Sequence, residues 1–253
     1  MFRRRQRKPR KKDCLPEKSG RARGLNAYEA RYYSQNGEDG IIGEIFRRIG
    51  TTNKFSAEIG VEDGSECNTA NLLRHEDWSG ILVEGESERA QRLRERFRQF
   101  PRVKTVQAYV TVANVVDLFE TAEVPDEPDL LSVDVDGNDY WILQRLLGRY
   151  RPRVVIAETN PFYPPPALFV MPYNAEHRWD DTTYFGASLS SMVDLLAKSG
   201  YAFVAVECNV VNAFFVRRDE FPKLGFPEAK PEEVYHFTPS FPGRRYGYAG
   251  VIP

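Results

Sequence analysis

Cysteine is scarce in this 253-residue chain. Only Cys14, Cys67 and Cys208 occur, an odd number with no CxxC spacing. That excludes a disulfide framework and a thiolate zinc site, and it fits a reducing cytoplasm. No run of 18 apolar residues exists, so no membrane-spanning helix is expected. The basic start is not followed by the apolar stretch of a secretion signal. The expectation is a soluble, cytoplasmic protein. There is no internal repeat, and no GxGxxG dinucleotide fingerprint.

What is present points to a globular body. Apolar residues make up 42% of the chain, and 253 residues suffice for one large α/β domain with a sizeable core. The formal net charge of −1 conceals two opposed regions. Residues 1–24 hold 11 of the 35 basic residues and 2 of the 36 acidic ones, leaving 24 basic and 34 acidic in the remainder. The tail, with Arg3-Arg4-Arg5 and Lys11-Lys12, has almost nothing to bury and is expected to be disordered alone. It suits an anionic partner, or is a solvated extension. The acidic body speaks against a broad nucleic-acid footprint.

Beyond residue 24 the pattern alternates. Ala27–Gly50 reads as helical, because Ile41, Ile42, Ile45, Phe46 and Ile49 recur at helical spacing. Short apolar strands are expected at Phe55–Ile59, Gly80–Val83, Val103–Ala108, Leu130–Val133, Val154–Ala157, Ala202–Val206 and Val211–Val216. Helix-length segments such as Ser87–Phe100 and Tyr140–Tyr150 separate the first five, which predicts βαβ units and a parallel sheet. Only a short turn near Cys208-Asn209 separates the last two. A parallel crossover needs a dozen residues or more, so these two form an antiparallel hairpin. The fold class expected is α/β, a Rossmann-like class I methyltransferase fold with a mostly parallel seven-stranded sheet. The domain is expected over 25–221, with a C-terminal extension at 222–253. Residues 161–186, rich in Pro and aromatics, are too long for an ordinary connection and read as a substrate loop or lid.

The polar residues at the strand ends carry the chemistry. The first strand runs into Glu58-x-Gly60-x-x-x-Gly64, where glycines admit close backbone approach. Glu58 takes the place of the first fingerprint glycine. An acid there repels a pyrophosphate but suits an ammonium or a sulfonium, both of which occur in S-adenosylmethionine. Glu84 closes the second strand, where it is placed to accept from ribose hydroxyls. Asp134 and Asp136, in Asp134-Val-Asp136-Gly-Asn138-Asp139, close the fourth, and Glu158 and Asn160 the fifth. An EF-hand is excluded, since Asp139 and Arg145 stand where its Gly and Glu belong. A phosphatase opening with DxDG is the weaker reading, because three strands precede the motif. If Asp134, Asp136, Glu158 and Asn160 converge, their mutual repulsion calls for a proton or a hard cation such as Mg²⁺. His177, in the lid, is a candidate base or metal ligand; His75 and His236 are assigned nothing.

Taken together, Tyr33-Ser-Gln-Asn-Gly-Glu-Asp-Gly-Ile41, the Glu58/Gly60/Gly64 turn, Ser132-Val-Asp-Val-Asp-Gly-Asn-Asp-Tyr140, Tyr184-Phe-Gly-Ala-Ser188 and Asn212-Ala-Phe-Phe-Val-Arg217 resemble the FkbM-like methyltransferases over roughly residues 30–220. The resemblance implies S-adenosylmethionine as cofactor and O-methylation of a hydroxyl on a sugar or natural product. It implies that Gln35 and the Glu58–Gly64 turn hold the methionine part, with Asn68 also counted as cofactor-binding. It further implies that Glu84 holds the ribose, that Gln107 and Ala108 lie near the adenine, and that Asp134 and Asp136 face the methyl. The segment Tyr184–Ser188 should open the helix before the final hairpin. The acceptor is expected to be a small molecule or glycan, with Tyr163, Tyr173, Trp179 and Tyr184 available to stack on it or to pack among themselves. A non-catalytic binding module on the same fold is the remaining alternative. Oligomeric state is open.

Overall fold

The computed structural model describes residues 24–236; the basic tail and the final residues of the chain lie outside it. Seven strands form one sheet: β1 (Phe55–Ile59), β2 (Ser79–Glu84), β3 (Val103–Gln107), β4 (Leu130–Val133), β5 (Val154–Glu158), β6 (Tyr201–Val206) and β7 (Asn212–Arg217). Their order is β3-β2-β1-β4-β5-β7-β6. The first five pair in parallel, and β7 runs antiparallel between β5 and β6. This is the Rossmann-like methyltransferase arrangement that the strand spacing predicts.

The central strands are buried almost throughout, because both faces are covered, and carry only a few polar residues such as Ser56, Glu58 and Ser132. Alternate residues divide between two cores. Val155 and Ala157 of β5 join Ile59 and Val133 beneath α4 (Val115–Thr121), α5 (Asp139–Leu147) and α6 (Leu189–Lys198). Val154 and Ile156 face the other way, with α1 (Glu38–Ile49), α2 (Ala70–His75) and α3 (Ser87–Phe97). β3, at the edge, is only partly covered.

One expectation about extent changes. The segment 27–50 is α-helical only from Glu38 to Ile49, after a 3₁₀ turn at Gly24–Tyr28. Before the α-helix, one oxygen of Asp39 accepts from the backbone N–H groups of Tyr32, Tyr33 and Ser34 at 2.7–2.8 Å. A side chain that captures backbone donors this way offers the chain an alternative to helix. The described part of the C-terminal extension packs on the domain. α7 (Phe221–Leu224) buries Leu224 against α1, where Arg48 donates to the Leu224 carbonyl at 2.9 Å. After α8 (Pro231–Val234), the Tyr235 hydroxyl donates to the Pro161 carbonyl at 2.6 Å.

Beneath the sheet, Arg153 fastens three elements. It donates to Asp129 at 2.7 Å, to Glu220 at 2.9 and 3.0 Å, and to the carbonyls of Ile49 and Gly50. Asp129 is fully buried and also accepts from the amides of Thr52, Asn53 and Lys54.

Candidate active site

The strand order reverses between β1 and β4, and ligands of open α/β sheets bind outside the carboxyl ends of strands at such a point. There a cavity of about 850 Å³ opens, walled by the ends of β1, β2 and β4, the residues after β3, and the 161–186 loop. The size falls in the range of small-molecule and cofactor sites.

Glu58 stands on this wall, and its carboxylate is committed locally. It accepts from the N–H of Asn68 at 2.8 Å, and from the N–H and hydroxyl of Thr69 at 2.9 and 2.5 Å. These are orphan donors at the start of α2, so Glu58 anchors the 60–69 turn to β1. Burial pushes its carboxyl up to about 7 despite those bonds. Gly60 has φ +79°, and a Cβ there would lie 1.4 Å from the Asp134 carbonyl oxygen. It permits β1 and β4 to approach. Gly64 is not on the wall; a Cβ there would meet Leu93 and Phe97 of α3 at 2.6 and 2.9 Å, so its smallness serves packing. Asn68 reaches the wall and donates to the Ser132 hydroxyl at 3.1 Å. Gln35 is exposed at the rim.

Glu84 lines the cavity at the end of β2, 7% exposed. It accepts from the N–H of Glu86 at 2.7 Å, and burial raises its carboxyl above the usual range. Ala108 follows on the wall, whereas Gln107 is exposed and does not line it. Tyr109, missed in the sequence, covers Gly85: a Cβ on that glycine would lie 2.4 Å from the tyrosine ring. The Arg178 guanidinium sits 3.8 Å above the same ring.

At the far end three carboxylates meet. Asp134, Asp136 and Glu158 each offer an oxygen, all within 4.8 Å of one another. Asp136 takes a left-handed backbone, φ 54°, and its N–H donates to Glu158 at 3.0 Å. Burial raises the carboxyls of Asp134 and Glu158 well above the carboxylate range, and neighbouring acids add to this, Asp136 first for Asp134 and Asp134 first for Glu158. Asp139 stands close behind, holding the turn through the N–H groups of Val135 and Gly137. Asn160 does not join this cluster. Its amide donates to the carbonyls of Thr183 and Phe185, and its oxygen accepts from Phe162. It ties the 161–186 loop to β5 instead.

His177 comes from that loop and lies over Gly137, where a Cβ would be 2.3 Å from its ring. Its Nε2 is 3.0 Å from the Asp136 carbonyl. A carbonyl only accepts, so Nε2 carries the proton and, in a neutral ring, Nδ1 is the basic nitrogen. The loop is well fastened. Trp141 donates to Met171 and Asn138 to Asn174, both at 2.8 Å, and Val170 bridges Ala187. Among the aromatics proposed for stacking, Trp179 reaches the wall. Tyr163 and Tyr184 pack on Phe169 within the loop, at ring distances of 3.9 and 5.5 Å. Ser188 caps α6, accepting from Ser191 N–H, where the Tyr184–Ser188 segment is expected to open a helix.

No family model matches the sequence, and no curated protein matches it. Solved structures do. The CurJ carbon methyltransferase shares 10% identity over 74% of this chain and 56% of its own, with a TM-score of 0.48. The chain thus spans little more than half of that protein. A fibrillarin pre-rRNA processing protein of Methanococcus jannaschii shares 10% over 75% and 78%, with a TM-score of 0.47. The N-terminal domain of EvdMO1, solved in the presence of SAH and D-fucose, shares 12% over 72% and 82%, also at 0.47. The chemistry of this chain rests on its own sheet order and cavity. No helix among the described residues is long and apolar enough to cross a membrane.

Proposed function

We propose that this protein transfers a methyl group from S-adenosylmethionine to a hydroxyl of a sugar or similar small polar acceptor. One observation carries the reading: a single cavity at the switch point of a methyltransferase-type sheet joins the Glu58–Gly60 turn, Glu84 and Ala108 to the acid cluster and His177. Glu84 would hold the ribose hydroxyls, the residues after β3 the adenine, and the Gly60 turn the methionine part. The acceptor would enter beside Asp136, His177 and Trp179. In the reaction the methyl carbon–sulfur bond breaks and its electron pair stays on sulfur. The acceptor oxygen bonds the methyl carbon, and the hydroxyl proton passes to Asp136 or to Nδ1 of His177. Holding the three reacting atoms in line supplies much of the acceleration.

The Asp134–Asp136–Glu158 cluster presents only oxygen donors, a set suited to a hard divalent cation such as Mg²⁺. A cation there would lower the pKa of a bound hydroxyl. Shared protons on the raised carboxyls are the other way to relieve their repulsion.

Calorimetric titration with S-adenosylmethionine, with Mg²⁺ and with chelator, tests both parts. Binding at about 1–100 μM is expected, with Glu84→Ala weakening it about 10-fold or more. No binding under any condition would overturn the assignment and bring forward the phosphatase or binding-module readings. Unchanged affinity in Glu84→Ala would remove its ribose role.

A further inference from the structure

The 161–186 loop divides into a fixed base and an exposed tip. At the base, the Met171 N–H donates to the Gly186 carbonyl at 2.8 Å, Val170 bridges Ala187, and Asn160 holds the carbonyls of Thr183 and Phe185. Between these anchors, seven of the eleven residues from 172 to 182 are exposed. Little apolar burial holds the tip down, so its position rests on individual contacts. Two lie at the end of β4. Asn138 and the Asn174 backbone exchange hydrogen bonds at 2.8 and 3.3 Å, and His177 Nε2 donates to the Asp136 carbonyl at 3.0 Å. Two more lie toward the edge of the sheet. The Tyr173 hydroxyl accepts from the Val112 N–H at 3.3 Å, and the Arg178 guanidinium sits 3.8 Å above the Tyr109 ring, which itself covers Gly85 just after β2. His177 and Arg178 are neighbours in the chain, yet one is held after β4 and the other after β2. β1 stands between those strands, and two strand spacings are about 10 Å. The tip therefore crosses above the end of β1, where the Gly60 turn lies. Residues 175 and 177–179 line the same cavity as Gly60 and Glu84.

We infer that this tip is a strap closed over the cofactor rather than over the acceptor, and that Arg178 is its latch, a positioning residue acting through Tyr109. Cofactor enters and leaves when the strap lifts. This rests on the methyl-transfer reading above, which places the cofactor along that wall. Lifting the strap also carries His177 off the Asp136 carbonyl. The state that exchanges cofactor is thus one in which the reacting end is taken apart, so exchange and transfer exclude one another. The latch is a contact between two protein groups, made whether or not a ligand lies beneath it. Its removal favours opening equally in both cases, so it speeds entry and exit alike and leaves the dissociation constant in place.

Stopped-flow mixing of the full chain with S-adenosylhomocysteine tests this. Association and dissociation rates are read from tryptophan fluorescence, since Trp179 lies on the wall. Arg178 is exposed, so Arg178→Ala should fold normally. Both rates should rise about 2- to 5-fold, the size of an exposed cation–π contact, with the dissociation constant unchanged within about 2-fold. A change in one rate alone, with the dissociation constant moving in proportion, would mean that Arg178 acts on the ligand itself. Unchanged rates would mean that it latches nothing. Either result overturns the inference and leaves the methyltransferase reading standing. Wild-type protein that binds no S-adenosylhomocysteine would remove both.

Discussion

Asp134 and Asp136 owe their character to position more than to identity. At the end of a central strand, beside Glu158, burial and like charge hold the Asp134 carboxyl proton-hungry, while Asp136 supplies part of that like charge. Asp134→Ala should lower turnover by about 100-fold or more; full retained activity would exclude it from the site. Gly137→Ala makes a finer test. The added methyl would sit 2.3 Å from the His177 ring, forcing the ring aside while leaving the cofactor half untouched. Turnover should fall about 10-fold with S-adenosylmethionine affinity nearly unchanged; an unaltered rate would show that His177 is a bystander. At this scale the sequence was half legible. Acids at strand ends announce themselves, since strand boundaries are clear in apolar runs. What their carboxylates already hold is hidden, because Glu58's partners at Asn68 and Thr69 depend on how the turn closes. Gly64 and Asn160 have the same explanation: each reads as a site residue, and each is taken up by packing or loop hydrogen bonds.

Among the elements, strands were read best. Four of the five parallel strands are buried on both faces and give largely apolar runs bounded by polar turns, and the short β6–β7 connection admits only an antiparallel pair. The first helix is shorter than its apolar spacing suggests, because the Asp39 carboxylate competes for backbone donors through a folded loop that no periodicity reveals. The buried Arg153 was not anticipated either, since its partners lie 24 and 67 residues away. It joins the end of α1, the entry to β4 and the turn after β7. Arg153→Ala leaves Asp129 and Glu220 without their counter-charge and should cost about 3–5 kcal/mol of unfolding free energy. Denaturant titration reads this directly, and a loss under about 1 kcal/mol would mean that water or Lys223 replaces the guanidinium.

For the whole molecule, its buried acids set the pH dependence. Burial raises Glu58 to about 7, and burial with the adjacent Glu38 raises Glu207 to about 8. In the unfolded chain such groups ionise near 4.3. Between about 4.5 and 8 the folded state thus binds more protons than the unfolded one, so stability falls as pH rises. Glu44 and Glu220 act in the opposite sense. Arginine partners hold both near 2, Arg47 chiefly for the first and Arg153 for the second, so their contribution is present above about 4.5 and is lost below it. Stability should peak near pH 5, and Glu207→Gln should flatten the alkaline limb. A flat or rising profile from pH 5 to 8 would contradict this assignment of protons.

The central claim is that the switch-point cavity is the cofactor site. A crystal structure with S-adenosylhomocysteine tests it most directly. The ribose hydroxyls should lie on Glu84, the adenine beside Ala108 and Tyr109, and the sulfur should face the Asp134–Asp136–Glu158 cluster. A ligand seated elsewhere, or a cavity that stays empty at saturating ligand, would contradict it.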